Sequence, residues 1–197
     1  MKALDWQQFF LEQQRVHRKT LFSGAELANV AQTDLHGLNT ELARLIADGI
    51  VCRYAQGFYG MHNVVSAEEL VAAVDPDAYV TGLFALFRHN LVTQAPTEVT
   101  CFTNRRHNRK SGRVTPAGRL WFVEVSSRIY SKPRSGLVTP AEQALCDFVW
   151  LNVRDGIDPR SLVAFRNLER LDRQRLARLT ERYPENVEQA VTELIQS

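Results

Sequence analysis

The chain is 197 residues long, 45% hydrophobic and 23% charged, with a formal net charge of +2. That length holds one ordinary domain plus a small module, or two small domains, each with apolar residues enough for a core. No apolar run approaches the roughly 20 residues needed to span a bilayer, and the N-terminus has no secretory apolar segment, so a soluble, cytoplasmic protein with no membrane partner is expected.

The small net charge hides an asymmetry. Residues 1–103 carry 7 Lys/Arg against 11 Asp/Glu, residues 104–134 carry 9 against 1, and residues 135–197 carry 8 against 10. One short segment holds the whole basic surplus. Cys52, Cys101 and Cys146 are odd in number and set among apolar residues. They are expected as buried, reduced thiols, with neither disulfide nor zinc spacing.

The first clear signal begins at Phe22. Ser23 and Glu26 form a Ser-x-x-Glu capping box, with Phe22 and Leu27 placed to close a hydrophobic staple, and a short helix follows to Ala31. Thr33 is expected to cap the next helix, whose Leu35, Leu38, Leu42, Leu45 and Ile46 fall on one stripe at steps of three and four. Gly49 marks its end. The opposite face carries His36, Gly37, Thr40, Ala43, Arg44 and Ala47, with Asn39 on the flank. Small residues there allow close approach to a groove, from which Thr33, His36, Asn39, Thr40 and Arg44 reach phosphates or base edges.

Two strand-like runs, Ile50 to Tyr54 and Phe58 to Met61, flank a short turn, Ala55-Gln56-Gly57. Helix, helix and Gly-turned ribbon in that order predict a winged helix-turn-helix over residues 1–65, with Arg53 and Gln56 of the ribbon touching the nucleic-acid backbone. Between residues 21 and 62 only Arg44 and Arg53 stand against Glu26, Asp34, Glu41 and Asp48. A module with that balance needs a positive surface from elsewhere to hold a polyanion.

Residues 66–197 are expected to form a second domain with a small sheet, flanking helices and a terminal helical cluster. Tyr79 to Val92 is apolar on nearly every side and reads as a core helix. Thr97–Thr103 and Leu120–Val125 read as strands, and Asn104–Arg113 as an exposed loop. Arg105, Arg106, Arg109, Lys110 and Arg113 in that loop are candidate phosphate contacts. His107 lacks a second His, and Glu124-Val125-Ser126 has Ser where a metal-dependent nuclease would place Lys. No catalytic residue, metal or cofactor is therefore expected. Four helix starts follow: Thr139-Pro140 with Glu142, Asp158-Pro159, Asp172 and Pro184. The Arg-rich stretch from Arg166 to Arg182 is interleaved with acids and reads as a salt-bridged solvent face.

The sequence Tyr79-Val80-Thr81-Gly82-Leu83-Phe84-Ala85-Leu86-Phe87-Arg88-His89-Asn90-Leu91, a strand, a basic loop, a second strand and then Thr139-Pro140-Ala141-Glu142-Gln143-Ala144-Leu145-Cys146-Asp147 succeed one another behind the ribbon. Over about residues 4–151 this order resembles the AbiEi-type antitoxins of type IV toxin–antitoxin systems. It departs from them at Asn90, where Gly is usual, and at Gln143, where Lys is usual. The resemblance implies an α+β fold and a repressor of its own toxin–antitoxin operon. It further implies functional pairing with a nucleotidyltransferase-like toxin, with or without direct contact. His89 and Asp147 match family positions and are expected to be structural. The expectation is thus sequence-specific binding to duplex DNA. The alternatives are a winged helix that docks a protein and, behind it, a metal-dependent nuclease.

Overall fold

A computed structural model describes residues 2–106 and 112–196, and the fold is α+β, with two small sheets among the helices. Contacts divide the chain into two units, Met1–Val74 with Val114–Gly118, and Asp75–Arg113 with Arg119–Ser197. Among the described residues, no helix is long and apolar enough to cross a membrane.

The first unit is built from α1 (Ala3–His17), β1 (Phe22–Ser23), α2 (Gly24–Ala31), α3 (Leu35–Ala47), β2 (Cys52–Ala55), β3 (Phe58–Gly60) and α4 (Ala67–Val74). Trp6 and Phe10, one turn apart on α1, stack at 5.7 Å, and Phe10 meets Phe22 at 5.2 Å. Leu27 of α2 and Leu38, Leu42 and Leu45 of α3 complete this core. The Ser23 hydroxyl accepts from the Glu26 amide, and Glu26 accepts from the Ser23 amide in return, so α2 opens with a reciprocal cap. Sheet order is β1-β3-β2, all antiparallel, with Phe22 opposite Tyr59 and a register shift between Arg53 and Ala55. Gly60 is required by space: a Cβ there would collide with the Thr20 carbonyl oxygen and lie 2.9 Å from Val65.

Two details differ from the sequence reading. The cap of α3 is Asp34, whose carboxylate accepts from the Gly37 amide at 2.7 Å, and Thr33 belongs to the turn before it. Either residue can cap; Asp34 is the one that stands three residues before the free amide. On α3 only Leu38, Leu42 and Leu45 are buried, while Leu35 is 58% and Ile46 40% exposed. At 100° per residue those two sit some 60–80° from Leu38, on the edge of the stripe.

The second unit contains β4 (Tyr79–Thr81), α5 (Gly82–Arg88), β5 (Glu98–Thr103), the start of β6 (Gly112–Thr115), all but the first residue of β7 (Gly118–Glu124), α6 (Ala141–Arg154), α7 (Arg173–Thr180) and α8 (Glu185–Gln196). Single 3-10 turns stand at Pro159–Ser161 and Leu168–Arg170. Sheet order is β4-β5-β7-β6, with β4 antiparallel and β7 parallel to β5. The chain leaving β5 therefore passes to the far edge, forms β6 and returns between as β7. Val138 makes a parallel bridge with Val80 of β4. Helix α6 packs against α5, α7 and α8 and is buried continuously from Glu142 to Val149.

The apolar run from Tyr79 to Val92 is not one helix. Tyr79, Val80 and Thr81 are aromatic or β-branched and pair with Phe102, Cys101 and Thr100; the helix begins only at Gly82, which takes φ +62° at the junction. Helix α5 closes with the amide of Leu91 donating to the Leu86 carbonyl and Asn90 at φ +61°. Asn is the residue after Gly that best tolerates that conformation. The expected cap at Thr139 is also absent: its hydroxyl donates inward to Thr81 at 3.1 Å, and Pro140 opens α6 without a side-chain cap. Asp158 and Asp172 do cap their elements, accepting from the amides of Arg160 and Arg175. The element that Asp158 opens stops after one 3-10 turn.

Candidate nucleic-acid interface

The outward face of α3 is set by what holds its inward face. Leu38, Leu42 and Leu45 are fixed in the core, so His36, Asn39, Thr40, Ala43, Arg44 and Ala47 are exposed. The Thr40 hydroxyl turns back to the His36 carbonyl at 3.5 Å. Arg44 is half exposed and lies 3.8 Å from Glu41, a surface pair that leaves most of its charge available. Glu41 in turn accepts from Trp6 Nε1 at 2.9 Å, so α1 helps set the position of this acid. That contact joins residues 35 apart, and no local pattern announces it.

Thr33 stands apart from this face. It is partly buried in the turn, and its Oγ1 is 2.5 Å from where a Cβ on Gly37 would sit. Gly37 is therefore small because Thr33 packs over it, a reason independent of any ligand. The Asp34 carboxylate occupies the N-terminus of α3, where the helix dipole would otherwise attract a phosphate.

The hairpin places Arg53 and Gln56 at the surface. Arg53 Nε reaches the Ala55 carbonyl at 3.4 Å, and Gln56 begins the two-residue turn whose Gly57 has φ +77°. The Gly57 carbonyl accepts from the Gly24 amide at 2.9 Å, which ties the turn to the start of α2. Behind the strand, Tyr54 donates to the Met61 carbonyl at 2.8 Å, and burial pushes its phenol up to about 12.

The basic residues of the second unit divide. Arg105 is ion-paired with Asp77 at 2.5 Å, and Arg106 is exposed. Arg109 and Lys110 lie outside the described residues. Arg113 belongs to β6, not to a loop, and its guanidinium stands 5.6 Å over the Phe122 ring. Four residues of alternating exposure are too short a run to distinguish from a loop until a neighbouring strand pairs with them.

Two further groups belong to the second unit's interior. Asp147 is fully buried and accepts from Thr81 Oγ1 and Tyr183 Oη, each at 2.6 Å. Burial pushes its carboxyl up to about 7, against the opposing pull of those two bonds. His89 Nε2 lies 2.6 Å from the Thr139 carbonyl, the contact of a donor ring nitrogen at the end of α5. Both have the structural partners expected of them. The chain matches no known protein family and no curated protein sequence.

Proposed function

We propose that the first unit is a winged helix-turn-helix and that the protein is a sequence-specific duplex-DNA-binding regulator of transcription. In the fullest form of this reading it is a cytoplasmic antitoxin that represses its own operon beside a nucleotidyltransferase-like toxin. The observation that carries the DNA-binding part is the outward face of α3, where His36, Asn39, Thr40 and Arg44 are exposed among alanines and a glycine. Such a face lets a backbone approach a major groove while short polar side chains meet base edges. The order α1, β1, α2, α3, β2, β3, with residues 32–34 between the central helices, supports the same reading. The antitoxin part rests on the resemblance over residues 4–151.

A gel-shift titration of the protein on the DNA upstream of its own gene, with a random duplex as competitor, tests this. Specific binding is expected, and His36→Ala, Asn39→Ala and Arg44→Ala should each reduce discrimination by about 1–3 kcal/mol where a base contact is lost. Affinity for the upstream DNA no greater than for random DNA at every salt concentration would overturn the proposal.

A second reading, docking of another protein, is favoured by one feature: Leu35 and Ile46 are exposed on the flank of the same helix. Leu35→Ser with Ile46→Ser would then abolish capture of the neighbouring gene's product and leave the gel shift intact. The opposite pattern sets this reading aside.

A further inference from the structure

From Val125 to Ala141 the chain contains no carboxylate, while Arg128, Lys132 and Arg134 fall within it. Residues 126–134 form neither helix nor strand, yet they are held from several sides of the second unit. The Ser131 amide donates to Tyr79 Oη at 3.2 Å, and its carbonyl accepts from Gln143 Nε2 at 2.7 Å. Arg182 donates to the carbonyls of Arg128 and Tyr130, at 2.8 and 2.7 Å, and Tyr130 Oη donates to the Asp77 carbonyl at 2.7 Å. A basic segment with no acid of its own is thus held by groups remote in sequence, among them Asp75-Pro76-Asp77, whose two carboxylates lie close enough to act on Tyr130.

Two of its cations are held by main-chain carbonyls, as Arg173 and Arg182 of the same unit also are. Arg128 Nη2 donates to the Glu181 carbonyl at 2.7 Å, and Lys132 Nζ to the Pro76 carbonyl at 2.5 Å. A main-chain carbonyl satisfies a donor without cancelling its charge. Elsewhere in the same unit Arg154, Arg160, Arg170 and Arg175 stand against the carboxylates of Asp155, Asp158, Glu169 and Glu142. Arg105, which meets Asp77 beside this segment, is the pair that brings the start of the basic loop to the same place.

We infer that residues 126–134, backed by Arg182, are a phosphate-backbone contact of the second unit, reading no sequence and adding grip to whatever α3 selects. The inference rests on the reading that the ligand is duplex DNA. Arg128 and Lys132, held by carbonyls and not neutralised by a carboxylate, offer their charge with little ordering cost, and the exposed Arg134 adds a third, which is what a regular row of phosphates rewards.

Fluorescence anisotropy of the full chain on its upstream duplex and on a random duplex, between 50 and 200 mM salt, tests it. The variant Arg128→Gln/Lys132→Gln/Arg134→Gln should bind both duplexes more weakly by the same factor, with the slope of log K against log salt shallower by about 2.7. Arg128 also braces the Glu181 carbonyl, so Lys132→Gln/Arg134→Gln, which keeps that bond, is the second arm and should flatten the slope by about 1.8. Unchanged slopes in both variants overturn the inference. His36→Ala/Asn39→Ala runs in parallel and should lose preference for the upstream duplex at an unchanged slope. An effect of the basic segment without an effect of α3 overturns the α3 reading and keeps this one; the reverse does the opposite. Wild-type protein that binds neither duplex removes both.

Discussion

The two units handle polar groups in opposite ways. Among the described residues, every buried carboxylate, carboxamide and threonine side chain belongs to the second unit: Asp75, Thr81, Thr103, Thr139, Glu142, Gln143, Asp147 and Thr180. The first unit has an apolar core and spends its side-chain bonds mostly on caps, such as Ser23 to Glu26 and Asp34 to Gly37, which span three residues at the surface. In the second unit the bonds that organise the core join Thr81 to Asp147, Tyr183 to Asp147 and Thr103 to Asp75, separated by 66, 36 and 28 positions. Apart from Trp6 Nε1 on Glu41 and Tyr54 Oη on the Met61 carbonyl, loss of a polar group in the first unit should therefore cost less than loss of a core polar group in the second. Buried partners left unsatisfied cost their full desolvation, and surface caps do not.

The largest break of that contrast is expected at Asp147. Asp147→Ala leaves two buried hydroxyl groups without their acceptor and should destabilise the second unit by about 4 kcal/mol. Urea unfolding resolved by segment with hydrogen exchange would show it; a loss below about 1 kcal/mol would mean that the network is dispensable. The steric counterpart in the first unit is Gly60→Ala. Its Cβ meets a backbone carbonyl that cannot rotate away, so about 2–3 kcal/mol should be lost, with protection falling first in the β1-β3-β2 sheet.

A third test sharpens the comparison through pH. The Asp147 carboxyl is raised to about 7 in the folded chain, chiefly by burial, from an ordinary value of 3.8. Below 3.8 the group is protonated in both states and its contribution to stability is fully present. As pH rises towards 7 the unfolded chain gives up the proton and the folded chain keeps it. Stability then falls by up to about 1.4 kcal/mol per pH unit and levels off above about 7. Asp147→Asn, neutral throughout, should lack that slope, so the difference in stability between the two proteins should itself change with pH between about 4 and 7. Parallel pH profiles would show that the buried carboxyl is ionised in this range. The smallest effect is a cap: Asp34→Ala should cost about 1 kcal/mol, because an exposed capping bond is partly replaced by water.

The same contrast explains what was legible in the sequence. Ser23, Asp158 and Asp172 were recognisable as caps because cap and amide lie two or three residues apart. Thr139 was misread for the opposite reason: its hydroxyl is claimed by Thr81, 58 positions away, and nothing near it says so. Tyr79–Thr81 and Gly112–Thr115 are strands only because other strands lie beside them. Strand preference is largely a preference for such neighbours, so short strands are the elements most exposed to error. At the candidate interface, the exposed face of α3 followed from the spacing of its leucines. The carboxylate-free bonding of Arg128 and Lys132 did not, since a count of charges cannot distinguish a carbonyl partner from a carboxylate.

The bond from the Gly24 amide to the Gly57 carbonyl has a consequence for rates as well as shape. A free hairpin tip samples many positions, and any partner must wait for, or pay the entropy of, the one it can use. Here the residue after Gln56 is anchored to the first residue of α2, so the spacing between Gln56 and the helices is set before any encounter. On the proposal that the ligand is duplex DNA, cutting that tether without touching an exposed side chain, by lengthening the turn with one glycine, should slow association with the upstream duplex in stopped-flow mixing while leaving dissociation nearly as it was. The hairpin would then act as a gauge whose calibration is stored in one main-chain bond.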